Sequence, residues 1–196
     1  MSAILSADEK ILLWLNGLVG RAPLFDEFMS VIGDDFFIVT CLALSVIALW
    51  FGARSLSQRK RNQRAVVATA FAVALTCLWI LLTMDIFHRP RPSEVHTISL
   101  LGYLRADASF PSEFAAVSFA FATAVWMGNR KAGIVIGCLA FLWCFGRVYC
   151  GIHYPLDIVA GALIGILTAF LVSKLVHMIS GIPNSIIRFF EWSHLA

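Results

Sequence analysis

Gly146-Arg147-Val148-Tyr149-Cys150-Gly151-Ile152-His153-Tyr154-Pro155-Leu156-Asp157 places an arginine, a histidine and an aspartate at the junction of two apolar runs. Ionisable side chains beside membrane helices are costly, and where they occur they are functional by default. Five residues separate Arg147 from His153 and three separate His153 from Asp157. That arrangement suits a histidine nucleophile, with Arg147 neutralising an anionic substrate while Asp157 holds the imidazole tautomer and stabilises its cation. On this stretch alone, an ion-pair cluster that only fixes helix register remains the alternative.

The chain around it is that of a membrane protein. Of 196 residues, 60% are hydrophobic and 14% charged, with a mean hydropathy of +0.84, and the apolar share is well above that of soluble domains. Apolar runs at 36–53, 65–87, 110–127, 132–150 and 156–178 approach the roughly 20 residues that a spanning helix needs. Residues 10–33 are amphipathic and interrupted by Gly17, Gly20 and Pro23, which predicts an interfacial helix rather than another span. The fold expected is an all-α polytopic membrane bundle of about five or six transmembrane helices. It forms one integral membrane domain over 1–196, with 1–33 as an amphipathic opening segment.

The opening residues have neither the basic region nor the cleavage site of a signal peptide, so no removal is expected. Cys41, Cys77, Cys138, Cys144 and Cys150 lie in or beside apolar runs without metal-ligand spacing and read as small core residues. Arg54, Arg59, Lys60, Arg61 and Arg64 form a basic loop without an acid, and such loops stay cytoplasmic. Asn129-Arg130-Lys131 and the tail with Lys174 and Arg188 are then expected on that side, while the acidic amino-terminal segment, the 88–109 loop and the 151–155 turn are expected outside. Basic charge of this kind is a topology signal, not a nucleic-acid site, so the expected partners are membrane lipids and no nucleic acid.

Three motifs therefore reach one membrane face: His88-Arg89-Pro90-Arg91-Pro92, Ser109-Phe110-Pro111-Ser112-Glu113-Phe114, and the Arg147 to Asp157 stretch. Pro111 and Pro155 stand where helices are expected to begin, since proline is favoured at the first helical position. Unpaired amides near Ser112, with its hydroxyl, can donate to phosphate oxygens at a helix N-terminus; a plain capping serine is the alternative. Arg89 and Arg91 present guanidinium forks that match phosphate, or touch lipid headgroups.

These residues resemble the type 2 phosphatidic acid phosphatase superfamily, whose signature reads Lys-x6-Arg-Pro, Pro-Ser-x-His and Ser-Arg-x5-His-x3-Asp. The resemblance covers a catalytic core of about 84–161 and is nearest to the bacitracin-resistance type of undecaprenyl-diphosphate phosphatase. It implies that Arg91, Ser112 and Arg147 bind phosphate, that His153 attacks phosphorus to form a phosphohistidine, and that Asp157 supports His153. It also implies no metal or cofactor, a polyprenyl diphosphate lipid as substrate, and a bacterial inner (plasma) membrane location with the site facing the periplasm or exterior. A broader phosphatidylglycerol phosphate or phosphatidate phosphatase, or a silent lipid-diphosphate binder or translocase, are the alternatives.

Three positions depart from the signature: Met84 replaces the lysine, Phe114 the histidine of the second motif, and Gly146 the serine before Arg147. In the family that histidine protonates the leaving oxygen, and its loss is expected to cost about 10²–10⁴-fold, or roughly 3–5 kcal/mol of barrier. Phe114 is thus the expected general-acid position, and turnover is expected to be impaired. An introduced substitution, a natural loss in a binding relative, and an acid borrowed from elsewhere all stay open. Glu113 points about 100° away on a helix, while His88 and His96 lie in the outer loop. A diphosphate substrate suffers least, because its leaving lipid phosphate has a second pKa near ~6, unlike an alkoxide.

Overall fold

The computed structural model describes residues 2–84, 86–103 and 107–179, with Ile187 and Trp192; Arg188, expected on the basic side, lies outside the described residues. Among them there are eight helices: α1 (Ser2–Asn16), α2 (Pro23–Gly33), α3 (Asp35–Phe51), α4 (Leu56–Met84), α5 (Pro92–Val95), α6 (Glu113–Gly128), α7 (Arg130–Tyr149) and α8 (Pro155–Met178). No strand occurs among the described residues. Helices α4, α7 and α8 are long and apolar enough to cross a bilayer, α2 and α3 together form a fourth candidate bent by 57°, and α6 is a shorter apolar helix. The chain is a multi-pass membrane protein whose apolar runs fall where the sequence puts them.

Two expectations need correction. Residues 10–33 are not one interfacial helix: the chain turns between Asn16 and Pro23, where Gly20 adopts a left-handed φ of 89°. Helix α2 then continues almost directly into α3, broken only at Asp34, whose carboxylate caps α3 by accepting from the amides of Phe36 and Phe37. The apolar character that begins at Pro23 runs through Phe51, so α2 belongs to the bundle. Nor are residues 54–64 a loop throughout, because α4 begins at Leu56. Arg59, Lys60, Arg61 and Arg64 ride its first turns, as suits long-chained residues that lose little rotamer freedom in a helix.

Helix α6 occupies the centre, packed on α4, α7 and α8. Lipid tails are as apolar as leucine, so close backbone approach rather than hydrophobicity holds such helices together. Gly161 and Gly165 provide it: a Cβ at either would stand 2.2 Å from the Ser112 carbonyl oxygen or 2.0 Å from that of Ala116. Ala72, Ala120, Ala124 and Ala169 continue the small-residue contact. A bulkier cluster of Ile38, Leu42, Phe121, Val125 and Trp143 joins α3 to α6 and α7. Leu44, Leu81, Phe141 and Leu171 are exposed on the outside, the expected arrangement for a bundle facing lipid.

Helix α1 lies across the ends of α7 and α8. Asp8, Leu12 and Asn16 are buried at four-residue intervals, while Ile4, Ile11 and Trp14 are exposed. Asn16 ties α1 down by donating to the Ser99 and Tyr149 carbonyls and accepting from the Ser99 amide.

Candidate active site

The turn between α7 and α8 delivers His153. Gly151 has φ of 77°, and a Cβ there would meet the Ile98 side chain at 2.6 Å, so the turn needs glycine for both backbone and space. His153 is buried, with Nδ1 3.1 Å from the Ser109 carbonyl oxygen and Nε2 3.4 Å from Arg91 Nη1. A carbonyl only accepts and a guanidinium only donates. The neutral tautomer consistent with both carries its proton on Nδ1 and its lone pair on Nε2, facing Arg91.

Asp157 lies on the first turn of α8, which starts with Pro155 at its first position as expected. Its Oδ2 accepts from the Ser109 hydroxyl at 2.5 Å and from the Tyr154 amide at 3.1 Å, and lies 3.9 Å from His153 Nδ1. The shorter path from Asp157 to the imidazole thus runs through Ser109, a residue of the second motif for which the sequence indicated no role. The Ser109 amide in turn donates to the Arg89 carbonyl, closing the base of the 88–109 segment.

The two arginines of the first motif divide their tasks. Arg91 is buried; Nε donates to the Asp107 carbonyl, Nη1 to the Ile152 carbonyl, and Nη2 pairs with the Asp107 carboxylate at 3.0 Å. Arg89 bridges two carboxylates, Asp157 Oδ1 at 2.7 Å and Asp8 Oδ2 at 2.6 Å, with its guanidinium 3.8 Å above the Tyr154 ring. Burial works against the charged form of Arg89, but the hydrogen bond to Asp8 and the charges of Asp157 and Asp8 outweigh it and raise its pKa. Burial likewise pushes the Tyr154 phenol up. Asp8 had no assigned role in the sequence, and nothing in its spacing pointed to Arg89, 81 positions later.

Ser112 is the N-cap of α6, its hydroxyl accepting from the Ala115 amide at 3.4 Å. Its own amide donates to the Asp157 carbonyl at 3.1 Å, so it is not one of the unpaired donors expected there. Pro111 is not the first residue of α6 either: it precedes the cap, after a cis Phe110-Pro111 bond. The capping hydroxyl accepts with its oxygen and keeps its proton to donate.

Arg147 projects from the last turn of α7 and is fully buried. Nη1 pairs with Asp35 at 2.5 Å and donates to the Gly33 carbonyl at 3.2 Å, and the guanidinium carbon lies 4.1 Å from the Phe114 ring centroid. Phe114 packs edge-on against Trp143 at 5.2 Å. Phe114 therefore has a polar partner that its apolar helix did not suggest. Gly146 also has a reason: a Cβ there would press on Gly33 and Ile32 at 3.2 and 3.3 Å, so the serine of the family signature would crowd the contact that brings α2 and Asp35 to Arg147. Arg147, Asp34, Asp35, Tyr103 and Ile152 line a cavity of about 430 Å³. His96, in the outer loop, lies edge-on to Tyr154 at 6.2 Å between ring centroids.

The sequence profile of the PAP2 superfamily matches residues 64–180. Undecaprenyl-diphosphatase BcrC of Bacillus subtilis (strain 168) is 26% identical over 177 residues, covering 90% of this chain and 88% of that protein. Bacitracin transport permease protein BcrC of Bacillus licheniformis is 30% identical over 133 residues, covering 67% of this chain and 63% of its own length. The crystal structure of Aquifex aeolicus LpxE is similar with a TM-score of 0.65 at 26% identity, covering 84% of this chain and 93% of that one.

Proposed function

The chain belongs to the PAP2 superfamily of phosphatases, and on that premise we propose that it hydrolyses a polyprenyl diphosphate, undecaprenyl diphosphate, to the lipid monophosphate and inorganic phosphate. The observation that carries the reading is the buried pairing of Arg91 Nη1 with His153 Nε2 at 3.4 Å. An anion bound by Arg91 sits against the nitrogen that holds the lone pair.

His153 Nε2 attacks the terminal phosphorus, the bond to the bridging oxygen breaks, and the lipid phosphate leaves. Water then cleaves the phosphorus–nitrogen bond of the phosphohistidine and releases phosphate. Ser112 donates its hydroxyl proton to a phosphate oxygen, and Arg147 adds charge from the side of the cavity, where Asp35 holds it in the free protein. Asp157 orients the imidazole through Ser109. Residues 1–196 act as one unit with the chemistry in 84–161, and the site faces the periplasm or cell exterior of a bacterial inner membrane, because the basic start of α4 is at the opposite end from Arg89 and Arg91. The name of the Bacillus subtilis relative supports the substrate. Recycling of the peptidoglycan lipid carrier, and with it bacitracin resistance, is the corresponding role.

Phosphate release from undecaprenyl diphosphate in detergent or lipid tests the reading. His153→Ala abolishes release, while Phe114→His raises it by about 10²–10⁴-fold by restoring a general acid. The gain is larger on a lipid monophosphate, whose alkoxide leaving group depends more on the proton. A Phe114→His variant that folds and binds lipid yet, like the parent, releases no phosphate would support the second reading, a lipid-diphosphate binder without turnover. Phe114 beneath Arg147 favours that second reading.

A further inference from the structure

We infer that Asp8, carried to the site by α1, is a positioning residue for the reaction proposed above: it holds Arg89 so that Asp157 keeps Ser109 and His153 in register. The inference rests on that reading but concerns a residue, Asp8, outside the matched 64–180 region.

Arg89 has one fork and two carboxylates. Nη2 lies 2.6 Å from Asp8 and Nη1 lies 2.7 Å from Asp157, so Asp8 fixes the plane in which the guanidinium meets Asp157. With Asp8 neutral, Arg89 would lean on Asp157 alone and draw its carboxylate away from Ser109, whose hydroxyl it accepts at 2.5 Å. Asp8 also accepts from the Leu156 amide at 2.8 Å through its other oxygen. Asp8 thus supplies, from a distant helix, an acceptor for one of the first-turn amides of α8, which have no partner within the helix. One carboxylate thereby fixes both the backbone that carries Asp157 and the cation that pairs with it. Its side chain is 1% exposed, a position that an unpaired carboxylate would not hold. Leu12, fully buried one turn later with Val148 and Tyr154, holds α1 in place without touching this network through charge.

The test is steady-state phosphate release from undecaprenyl diphosphate by the full chain in micelles, in the parent and in a Phe114→His background. Asp8→Asn keeps the shape and removes the charge. It lowers kcat by roughly tenfold to a hundredfold, the scale of a small misplacement at a reacting centre, with KM little changed. Asp8→Glu recovers part of the loss. Asp8→Asn combined with Arg89→Ala loses no more than Arg89→Ala alone, as expected for residues acting in one network. Unchanged kcat in Asp8→Asn overturns the inference, as does an equal kcat loss in Leu12→Ala, which would assign the effect to the docking of α1. Absence of release from both parents overturns the proposed function and this inference with it.

Discussion

Phe114 and Arg147 show what a single side chain can change at this site. A guanidinium 4.1 Å from an aromatic centroid is worth about 0.5–2 kcal/mol, more where it is desolvated. Phe114→Leu is therefore expected to lower stability by about that amount, read as a fall in thermal unfolding temperature in detergent. Arg147→Ala removes the charged contact as well and is expected to weaken inorganic phosphate binding by about 1.5–3 kcal/mol, measured by calorimetry. Unchanged affinity would confine Arg147 to holding α2 and α3 against α7. His153, Asp157, Arg91, Ser112 and Arg147 were legible as candidates because they fall in short motifs. Their partners were not: Asp35 precedes Arg147 by 112 positions and Asp8 precedes Arg89 by 81. A spacing pattern reports which residues share a helix face, whereas these contacts depend on how separate helices dock.

The helices were more legible than their contacts, because a bilayer demands runs of roughly 20 apolar residues and such runs stand out in any sequence. Their ends were harder to read. Basic residues from Arg59 to Arg64 read as a topology signal and are also good helix formers, so one signal hid the other. The break at Asp34 was equally obscure, since a single capping carboxylate is enough to redirect an otherwise continuous apolar segment. Between helices, the contact of α6 with α8 is the most exacting. Gly165→Val places carbon where only 2.0 Å separates the Cβ position from the Ala116 carbonyl oxygen. Because that neighbour is backbone, the helices must part, at a cost of about 1–3 kcal/mol or more. The amide of Ser112 donates to the carbonyl of Asp157 across the same contact, so phosphate release is expected to fall together with the unfolding temperature. Full activity with an unchanged unfolding temperature would refute the close packing of α6 on α8.

At the scale of the whole molecule, the charge distribution carries the proposed orientation of the bundle, and the side on which the site is expected to open follows from it. Thr97 and Ser57 are both exposed, one in the 88–109 segment and the other at the basic start of α4. Cysteines introduced at these positions are expected to react oppositely with an impermeant thiol reagent added from outside, Thr97→Cys being labelled and Ser57→Cys spared. The reverse pattern would move the site across the membrane. Helix α6 adds a constraint of another kind. It has 16 residues, about 24 Å at 1.5 Å per residue, against about 30 Å of hydrocarbon in a typical bilayer. With Arg130 at one interface, the Ser112 end of α6 is expected to fall short of the opposite one, so a headgroup is expected to reach His153 and Arg91 more easily where the surrounding leaflet is thin. Such hydrophobic mismatch costs fractions of a kcal/mol per ångström. Bilayer thickness thereby becomes a control on turnover: phosphate release is expected to be faster in vesicles of short-chain than of long-chain phosphatidylcholine, and a membrane that thickens with its lipid composition would slow the protein without touching a single residue of its site.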